Sequence, residues 1–307
     1  MQTVPLAQLQ VFLAVARHRS FSAAARELGV STSAVSQAVK QLEDQVRVVL
    51  LTRTTRSVLP TEAGRRLVEG AGPAMKQAVS ALTEVAARPG EAVGRVKISV
   101  GRMALPFVVT PVLPVFRARY PRIEVELVVE ERLVDIVGEG YDAGVRLAEA
   151  IERDMVQVRL TDQFRFVIVG SPAYLSRAGT PRSPEDLLRH DCITFRFATT
   201  GQLYAWELER GRKHWRVPVR GGVITNEPQL CVTLAEDGLG LAYVFEPAVA
   251  VSLRAGRLTT VLDAFSPTVP GFFLYYPSRA QISPAFRLFV DVAKEVLASP
   301  KRSARAR

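Results

Sequence analysis

Apolar residues recur at three- and four-residue intervals along residues 21–42, and this spacing is typical of helices with one buried face. The first predicted helix buries Phe21, Ala24, Ala25 and Leu28. Gly29 then ends it, because glycine adopts the left-handed conformation without steric cost. The second predicted helix has an apolar stripe formed by Val35, Val39, Leu42 and Val46. Ser22 and Ser31 are the candidate N-caps, so the stretch predicts two helices joined by a tight turn.

The other faces of the second helix are short, polar and cationic, with no carboxylate before Glu43. Ser and Gln can hydrogen-bond base edges, and Lys can pair with a phosphate. Small alanines in the first helix permit the close crossing that a helix-turn-helix requires. The alternative interpretation is an ordinary piece of helical core. The candidate DNA-binding residues of this stretch are Ser22, Ser31, Thr32, Ser33, Ser36, Gln37 and Lys40.

Two further elements flank the pair of helices. An amphipathic helix precedes it, with its apolar face formed by Leu6, Leu9, Phe12, Leu13 and Ala16. After it, apolar residues flank the polar and cationic segment 52–57, which predicts a β-hairpin wing. Arginine and threonine at such a tip suit phosphates or the minor groove, and a solvated hairpin is the alternative. The candidate DNA-binding residues here are Arg53, Thr54 and Arg56.

A long helix is predicted from Thr61 onward. Its narrow apolar stripe has the alternating spacing of a coiled-coil seam, formed by Leu67, Ala71, Met75, Ala78, Leu82 and Val85. Pro73 lies within the pattern, between Gly72 and further helical residues, so we expect a kink or a frayed turn there. The segment 88–90 ends the helix and marks a domain boundary.

Beyond residue 93 the pattern changes to strands alternating with helices. RVKISV, IEVELVVEE, DAGVRL, FRFVIVG, VRGGVITN, LAYVF and FFLYY predict strands, whereas RLVDIVGEGY, EPQLCVTLAEDG and PAFRLFVDVAKEVL predict helices. Strands that alternate with helices argue for parallel sheets with crossover connections. The G-x-G-x-x-A match at 138–143 ends a helical pattern instead of opening one, so it does not indicate a dinucleotide site.

Composition adds a charge asymmetry to this picture. The chain has 307 residues, enough for two or more domains, and a net charge of +10. Residues 1–90 carry 11 Lys and Arg against 6 Asp and Glu, whereas residues 91–300 carry 25 against 24. A basic front domain fits a polyanionic partner. The basic tail at 301–307 favours a solubilising end over a second binding arm.

The cysteine and histidine content and the hydropathy of the chain indicate which further classes of site and of protein the sequence supports. The two cysteines, Cys192 and Cys231, are too few for a disulfide framework, and buried inert thiols are favoured over a redox-sensing pair. The three histidines are scattered without zinc-ligand spacing, so no metal or other cofactor is predicted. The sequence predicts neither a signal peptide nor a membrane span, and hence a cytoplasmic protein. Catalysis is not expected, because no G-x-S-x-G elbow or other catalytic constellation occurs.

The run SFSAAARELGVSTSAVSQAVKQLE, followed by L-x-R-T-T-R-S-V-x-x-T-E-A-G, resembles the winged helix-turn-helix of LysR-type transcriptional regulators over about sixty residues. The family usually has a Gly after the recognition helix, where this chain has Arg47, which must adopt a left-handed conformation or change the turn. The resemblance implies a dimer through the linker helix and commonly a tetramer. It also implies a C-terminal α/β effector-binding domain of two lobes, similar to periplasmic solute-binding proteins. The expected divisions are a winged helix-turn-helix at 1–61, a linker at 62–92, lobe I at 93–162 with 269–300, and lobe II at 163–268.

Ligands of such folds lie between the lobes, at the C-terminal ends of strands. The effector-binding candidates at those ends are Val100, Gly101, Arg102, Arg146, Leu147, Ala148, Phe197, Thr199, Thr200, Thr225, Asn226, Tyr243 and Phe245. If Arg102 or Arg146 faces the cleft, the effector is an anion such as a carboxylate; the alternative is that both arginines form structural ion pairs. Thr225 and Asn226 end a strand and start a helix, where free amides favour an anion.

The resulting hypothesis is a sequence-specific, effector-responsive regulator of transcription that binds double-stranded DNA. Two rival functions stay open at this point. A DNA-coating protein would bind all sequences alike with a steep salt dependence, although the balanced charge of residues 91–300 argues against it. A redox-sensing regulator would depend on Cys192 and Cys231.

Overall fold

The computed structural model describes residues 5–53, 58–85, 91–148, 151, 155–277 and 282–298. The chain divides into two compact units. The first unit comprises 1–146, 150–160 and 273–307, and the second comprises 147–149 and 161–272. The basic tail at 301–307 lies outside the described residues. Within the described ranges, no helix is both long and apolar enough to cross a membrane.

Four helices and a hairpin form the N-terminal region of the first unit. In chain order these are α1 (Leu6–His18), α2 (Phe21–Leu28), α3 (Thr32–Val46), β1 (Leu51–Arg53), β2 (Val58–Pro60) and α4 (Glu62–Val85). The remaining strands and helices follow as β3 (Gly94–Val100), α5 (Thr110–Arg119), β4 (Ile123–Val129), β5 (Ala143–Leu147), β6 (Met155–Arg159), β7 (Phe164–Gly170), α6 (Pro172–Ala178), β8 (Thr194–Phe195), β9 (Trp206–Arg210), β10 (Lys213–Val217), β11 (Ile224–Thr225), α7 (Pro228–Glu236), β12 (Ala242–Phe245), α8 (Glu246–Arg254), β13 (Thr259–Val261), β14 (Thr268–Val269), β15 (Phe272–Pro277) and α9 (Pro284–Ala298).

The helix-turn-helix is present with the predicted turn and one corrected cap. Gly29 ends α2 in the left-handed conformation, and the Ser31 hydroxyl accepts from the Ala34 amide at the start of α3. The prediction of Ser22 as the first cap is wrong, because α2 begins at Phe21, two residues earlier than a Ser22 cap requires. Ser20 accepts from the Ala23 amide instead, at 3.3 Å. The Ser22 hydroxyl lies 3.1 Å from that of Ser20.

The core of this region joins α1, α2 and α3. Phe12, Val35, Val39 and Leu42 are fully or almost fully buried, as predicted from their spacing. Val46, expected to extend the stripe, is 43% exposed. Val46 is the last residue of α3 and lies one turn beyond Leu42, the last buried residue of the stripe. The chain leaves the helix at the next residue, Arg47. The apolar period is therefore a reliable guide in the middle of α3 and fails at its end.

The wing and the linker helix follow. β1 and β2 pair antiparallel, with Leu51 opposite Pro60 and Arg53 opposite Val58, which confirms the predicted hairpin. Helix α4 runs without interruption through Pro73, so the expected frayed turn is absent from this described helix. Pro73 has no amide to donate to the Glu69 carbonyl, and Gly72 relieves only the clash between the proline ring and a preceding Cβ.

The sheet region of the first unit, which we call lobe I, has five strands in the order β4-β3-β5-β15-β6. β3 runs parallel to β4 and β5, as predicted for a sheet with crossover connections, whereas β15 and β6 are antiparallel. The predicted helix RLVDIVGEGY is wrong: residues 132–141 form irregular turns. The carboxylate of Asp135 accepts from the Gly138 amide at 2.9 Å, and Gly140 has a positive φ of 72°, so the local chemistry favours a turn over a helix.

The second unit, which we call lobe II, has a central sheet in the order β12-β7-β13, with β14 also paired to β7. All three partners of β7 are antiparallel to it, so the expectation of parallel sheets fails here. The strands that pair with β7 all begin beyond residue 240. They are therefore not joined to β7 by the single crossover helix that the prediction of parallel strands assumed. The parallel pair in this lobe is β8 with β11.

Candidate functional sites

The outward side of α3 has the character predicted for a DNA-reading surface. Thr32, Ser33, Gln37 and Lys40 are exposed, and Ser36 is half-buried. The buried stripe on the opposite side of α3 fixes the direction in which these side chains point. A row of hydroxyl, amide and ammonium groups on one exposed helix face can donate to and accept from base edges and phosphates.

Glu43, which the sequence analysis did not single out, joins this helix to the wing. Its Oε1 accepts from the backbone amides of Leu50 at 2.8 Å and Leu51 at 3.1 Å, at the start of β1. Hydrogen bonds to a carboxylate are stronger than those between neutral groups. The contact therefore ties α3 to the start of the wing. Two features of the sequence could have indicated this role. Glu43 is the first acidic residue after the polar face of α3, and it lies shortly before a predicted strand.

Two backbone features hold the same junction. Arg47 follows α3 with a φ of 56° and a ψ of 33°, so it takes the left-handed conformation that was the first of its two predicted outcomes. Gly64 in α4 lies against the wing, since a Cβ at this position would stand 2.1 Å from the carbonyl oxygen of Leu50. Thr61 adds a cap, donating to the Val49 carbonyl at 2.8 Å and accepting from the Gly64 amide at 3.1 Å.

The tip of the wing is described in part. The backbone of Arg53 belongs to β1, but its side chain, together with Thr54 and Arg56, lies outside the described residues.

The linker helix exposes its predicted seam along its second half. Leu82 is 72% exposed and Val85 is 86% exposed, and Val79 is exposed beside them. Three exposed aliphatic side chains at three-residue steps form an exposed apolar stripe on this helix.

Near the end of β5 in lobe I, Arg146 is buried, and among the described residues its guanidinium contacts carbonyl and hydroxyl oxygens instead of a carboxylate. Its side chain is 7% exposed, and its guanidinium donates to carbonyl oxygens of Ser99, Val145, Glu130 and Arg132 and to the Ser99 hydroxyl, at 2.8–3.3 Å. Its buried Nε has no hydrogen-bond partner among the described residues. Burial lowers the pKa of Arg146 from its ordinary value, yet a guanidinium stays protonated in proteins. Arg146 therefore ties the ends of β3, β4 and β5 together.

The neighbouring candidates of lobe I differ in exposure. Val100 is fully buried, so its side chain offers nothing to a ligand in this arrangement. The Gly101 amide donates to the Val145 carbonyl at 3.2 Å. Arg102 has an exposed side chain whose Nε lies 4.0 Å from the Glu131 carboxylate, so the ion-pair alternative holds for Arg102. The Arg102 amide donates to the same carboxylate at 3.1 Å. A carboxylate of the protein itself thus accepts from the second amide after β3.

Lobe II brings a second set of candidates together. β8 and β11 run parallel, and the Arg196 amide donates to the Thr225 carbonyl at 2.8 Å, so the ends of these strands adjoin. Asn226 is exposed beside them, while Thr199 and Thr200 lie in an exposed turn and Leu147 and Ala148 are half-buried. The first turn of α7 differs from the expected anion site. Its N-cap is Glu227, whose carboxylate accepts from the Gln229 amide at 3.4 Å.

Aromatic rings adjoin these strand ends. Phe197 is 41% exposed and packs on Tyr204 with ring centroids 5.6 Å apart. The Tyr243 hydroxyl donates to the Glu207 carbonyl at 2.6 Å, and burial raises the pKa of Tyr243. Phe245 is buried and belongs to the core of lobe II, so it presents no side-chain surface to a ligand. Within this lobe, Phe197 and Tyr243 are thus the aromatic candidates with accessible surface.

The two cysteines lie in different core clusters of lobe II. Cys192 packs with Tyr174 and Trp206, whereas Cys231 packs with Val167 and Ala235. Burial raises the pKa of Cys192 to about 12 and that of Cys231 to about 11. Such thiols carry little thiolate at neutral pH and are poor redox sensors. In the described part of the chain, no group of three or more His, Cys, Asp or Glu residues could hold a metal ion.

Comparisons with known proteins agree along the whole chain. Residues 6–65 match the bacterial regulatory helix-turn-helix protein family, lysR type, and residues 89–298 match the LysR substrate binding domain. A putative transcriptional regulator of Pseudomonas aeruginosa is 41% identical over 289 residues, covering 94% of both proteins. The HTH-type transcriptional regulator PgrR of Escherichia coli K12 is 37% identical over 294 residues, covering 96% of this chain and 98% of PgrR.

Solved structures agree as well. CrgA, a LysR-type transcriptional regulator from Neisseria meningitidis, has a TM-score of 0.60 and 28% identity, covering 95% of this chain and 99% of that one. Full-length LysG from Corynebacterium glutamicum, solved with bound effector Arg, has a TM-score of 0.66 and covers 95% of this chain and 99% of its own. Its identity of 22% shows the shared fold alone.

Proposed function

Because the chain belongs to the LysR family of transcriptional regulators, we propose that it binds specific DNA sites as a dimer and that a small-molecule effector modulates those contacts. The exposed polar face of α3 carries this proposal. Gln37 and Ser33 would read base edges, with Ser36 at their flank, and Lys40 would pair with a phosphate. The hydroxyls of Ser22, Ser31 and Thr32 would meet the backbone at the helix N-termini. We expect a regulatory and not a catalytic function, and a protein that binds chromosomal DNA would act in the cytoplasm.

The hydrogen bonds from the Leu50 and Leu51 amides to Glu43 support sequence-specific recognition of bases over non-specific electrostatic binding to DNA. A protein that coats DNA needs only a basic surface, whereas reading needs a helix held at one angle. Glu43, Arg47 and Gly64 together hold the wing against α3 and α4. Arg53, Thr54 and Arg56 on that wing would then contact the backbone beside the reading helix.

The exposed stripe of α4 supports the dimer. Val79, Leu82 and Val85 would pack against the same residues of a second copy, and two dimers would form the tetramer common in the family. A Leu82→Glu substitution should weaken the dimer, because it places a carboxylate in the apolar seam. Sedimentation at several protein concentrations measures the change, and an unaltered dimer would contradict this use of α4.

The effector would bind at strand ends of the C-terminal α/β region, as the match to the LysR substrate binding domain suggests. LysG, which shares the fold, was solved with an effector, Arg, bound to that protein. Gly101, Arg102, Leu147 and Ala148 are candidates near the end of lobe I strands. Phe197, Thr199, Thr200, Thr225, Asn226 and Tyr243 are those of lobe II. An anionic effector would have to compete with the Glu131 carboxylate for Arg102, because Arg146 is occupied by carbonyl oxygens and Glu227 already caps α7.

The redox-sensing alternative has less support than the effector. The buried, protonated and separate thiols of Cys192 and Cys231 give it no chemical basis. The DNA-coating alternative is distinguished by experiment, through its indifference to sequence.

The deciding experiment is binding of the full-length protein to its own upstream DNA at near-physiological salt, against a scrambled competitor. Gln37→Ala should relax sequence preference, with a loss of about 1–3 kcal/mol at one base position. Gln10→Ala is the matched control, because Gln10 is an equally exposed glutamine on α1, away from the reading face. Equal binding of both DNAs by the unaltered protein would favour coating, and equal effects of the two substitutions would contradict the assigned role of Gln37.

A further inference from the structure

A turn of lobe I touches the N-terminal helices of the same chain. The Lys76 ammonium on α4 lies 2.7 Å from the Asp142 carboxylate and donates to the Gly140 carbonyl at 3.4 Å. Arg17, near the end of α1, lies against the same turn. A Cβ added at Gly140 would stand 3.1 Å from the Arg17 Cδ. The turn at 135–142, called the docking turn below, therefore meets both α1 and α4.

The acceptor in this contact is rigid. The Asp142 side chain is 7% exposed, and its second oxygen accepts from the Lys97 amide at 2.8 Å. The Asp142 amide in turn donates to the Lys97 carbonyl at 2.8 Å. Asp142 is thus part of the β3–β5 frame and cannot follow Lys76 if the helix moves. An ordinary surface ion pair between two mobile side chains contributes little, whereas one with a fixed, buried partner is better organised.

We propose that the docking turn is an interaction surface for the helical region of its own chain, which it holds in one orientation relative to lobe I. The proposal rests on the proposed function in one respect, namely that this orientation affects DNA binding. In the docked arrangement the reading face of α3 stays exposed, because the contacts come from α1 and α4. Docking therefore restricts the freedom of a DNA-reading helix without covering it, and it lowers the entropic cost of binding.

The docking turn is also joined to a candidate effector position. Arg132 pairs with Glu139 in the turn at 2.6 Å, and the carbonyl of Arg132 accepts from Arg146 at 3.0 Å. Asp142 directly precedes β5, and Arg146 lies within that strand. A displacement of Arg146 by a ligand at the strand ends would reach the docking turn through these bonds.

Hydrogen exchange of the full-length, DNA-free protein tests the docking itself. In Lys76→Gln, exchange of the amides in 136–141 should accelerate roughly threefold to fivefold, the range expected for loss of a partly exposed ion pair. Lys76→Arg should keep the wild-type rate, because it retains a cation at the same place. Gln77→Glu is the matched control, since it lowers the net charge by the same amount at the adjacent exposed position of α4. Equal exchange in Lys76→Gln and Gln77→Glu would overturn the docking surface.

DNA affinity of the same variants tests the consequence. Lys76→Gln should bind the upstream DNA roughly twofold to fivefold more weakly than Gln77→Glu at equal salt, because the helical region is no longer held in place. Equal or tighter binding by Lys76→Gln would overturn the link between docking and DNA binding. If none of the proteins prefers the upstream DNA but the exchange results hold, the proposed function fails while the docking surface stands.

Discussion

The hydrogen bonds from Glu43 to the start of the wing should decide whether the reading helix and the wing act as one body. Removing the carboxylate in Glu43→Ala leaves the Leu50 and Leu51 amides without their acceptor. The side chains of these two leucines are almost fully buried. A hydrogen bond to a charged group contributes about 1.5–3 kcal/mol. Both bonds share one oxygen, so together they are worth less than twice that, and we expect a loss of about 2–4 kcal/mol in the free energy of unfolding of the helical region.

The measurement is urea unfolding of the full-length protein, followed by hydrogen exchange of residues 48–53 to locate the loss. Asp44→Ala is the control, because Asp44 is the next residue of α3 and its side chain is exposed. Glu43→Gln, which keeps an uncharged acceptor, should fall between the two. A Glu43→Ala protein that matches Asp44→Ala within about 0.5 kcal/mol, with unchanged exchange at 48–53, would refute the reasoning.

Three further predictions follow from described features. Arg47→Gly should raise the free energy of unfolding by about 0.5–1 kcal/mol, because glycine takes the left-handed conformation without strain; urea unfolding measures it, and a loss of stability would contradict it. Cys192 and Cys231 should react with a thiol reagent at pH 8 far more slowly in the native protein than in urea, since burial raises the pKa of both; fast native labelling would contradict this. The Arg132 guanidinium lowers the pKa of Glu139 from its usual 4.5, so this pair stabilises the fold above about pH 4.5 and the stability is lost as the pH falls through the lower, folded value. Glu139→Gln should therefore flatten the acid limb of a stability–pH profile, and an unchanged limb would count against the pair.

The helix-turn-helix was predictable because its information is local. The buried positions Val35, Val39 and Leu42 follow one period, and Gly29 and Ser31 mark the boundary between α2 and α3 at neighbouring positions. The strands β3 and β4 of lobe I were equally predictable, because apolar and polar residues alternate in RVKISV and IEVELVVEE, which is typical of a strand with one buried face. These features depend on residues close together in the chain.

The features that the sequence did not reveal depend on residues that meet only in the fold. Arg146 was expected to face a ligand or an acid, and instead it binds carbonyl oxygens that carry no sequence signature. The apolar spacing of 132–141 imitates a helix, but the turn formed by Asp135 and Gly138 prevails over it. The antiparallel sheet around β7 could not be inferred either, because its partners follow some seventy residues or more later, from residue 242 onward.

The close approach of Gly64 to the wing also predicts where substitutions that abolish regulation would occur in a genetic selection. Any side chain at this position would have to displace the Leu50 carbonyl, and with it the strand that Glu43 holds. Variants at Gly64 recovered in a selection for lost regulation would therefore share the phenotype of variants in α3, although Gly64 belongs to the linker helix. A map of such variants would trace the supports of the reading helix as much as its contacts with bases.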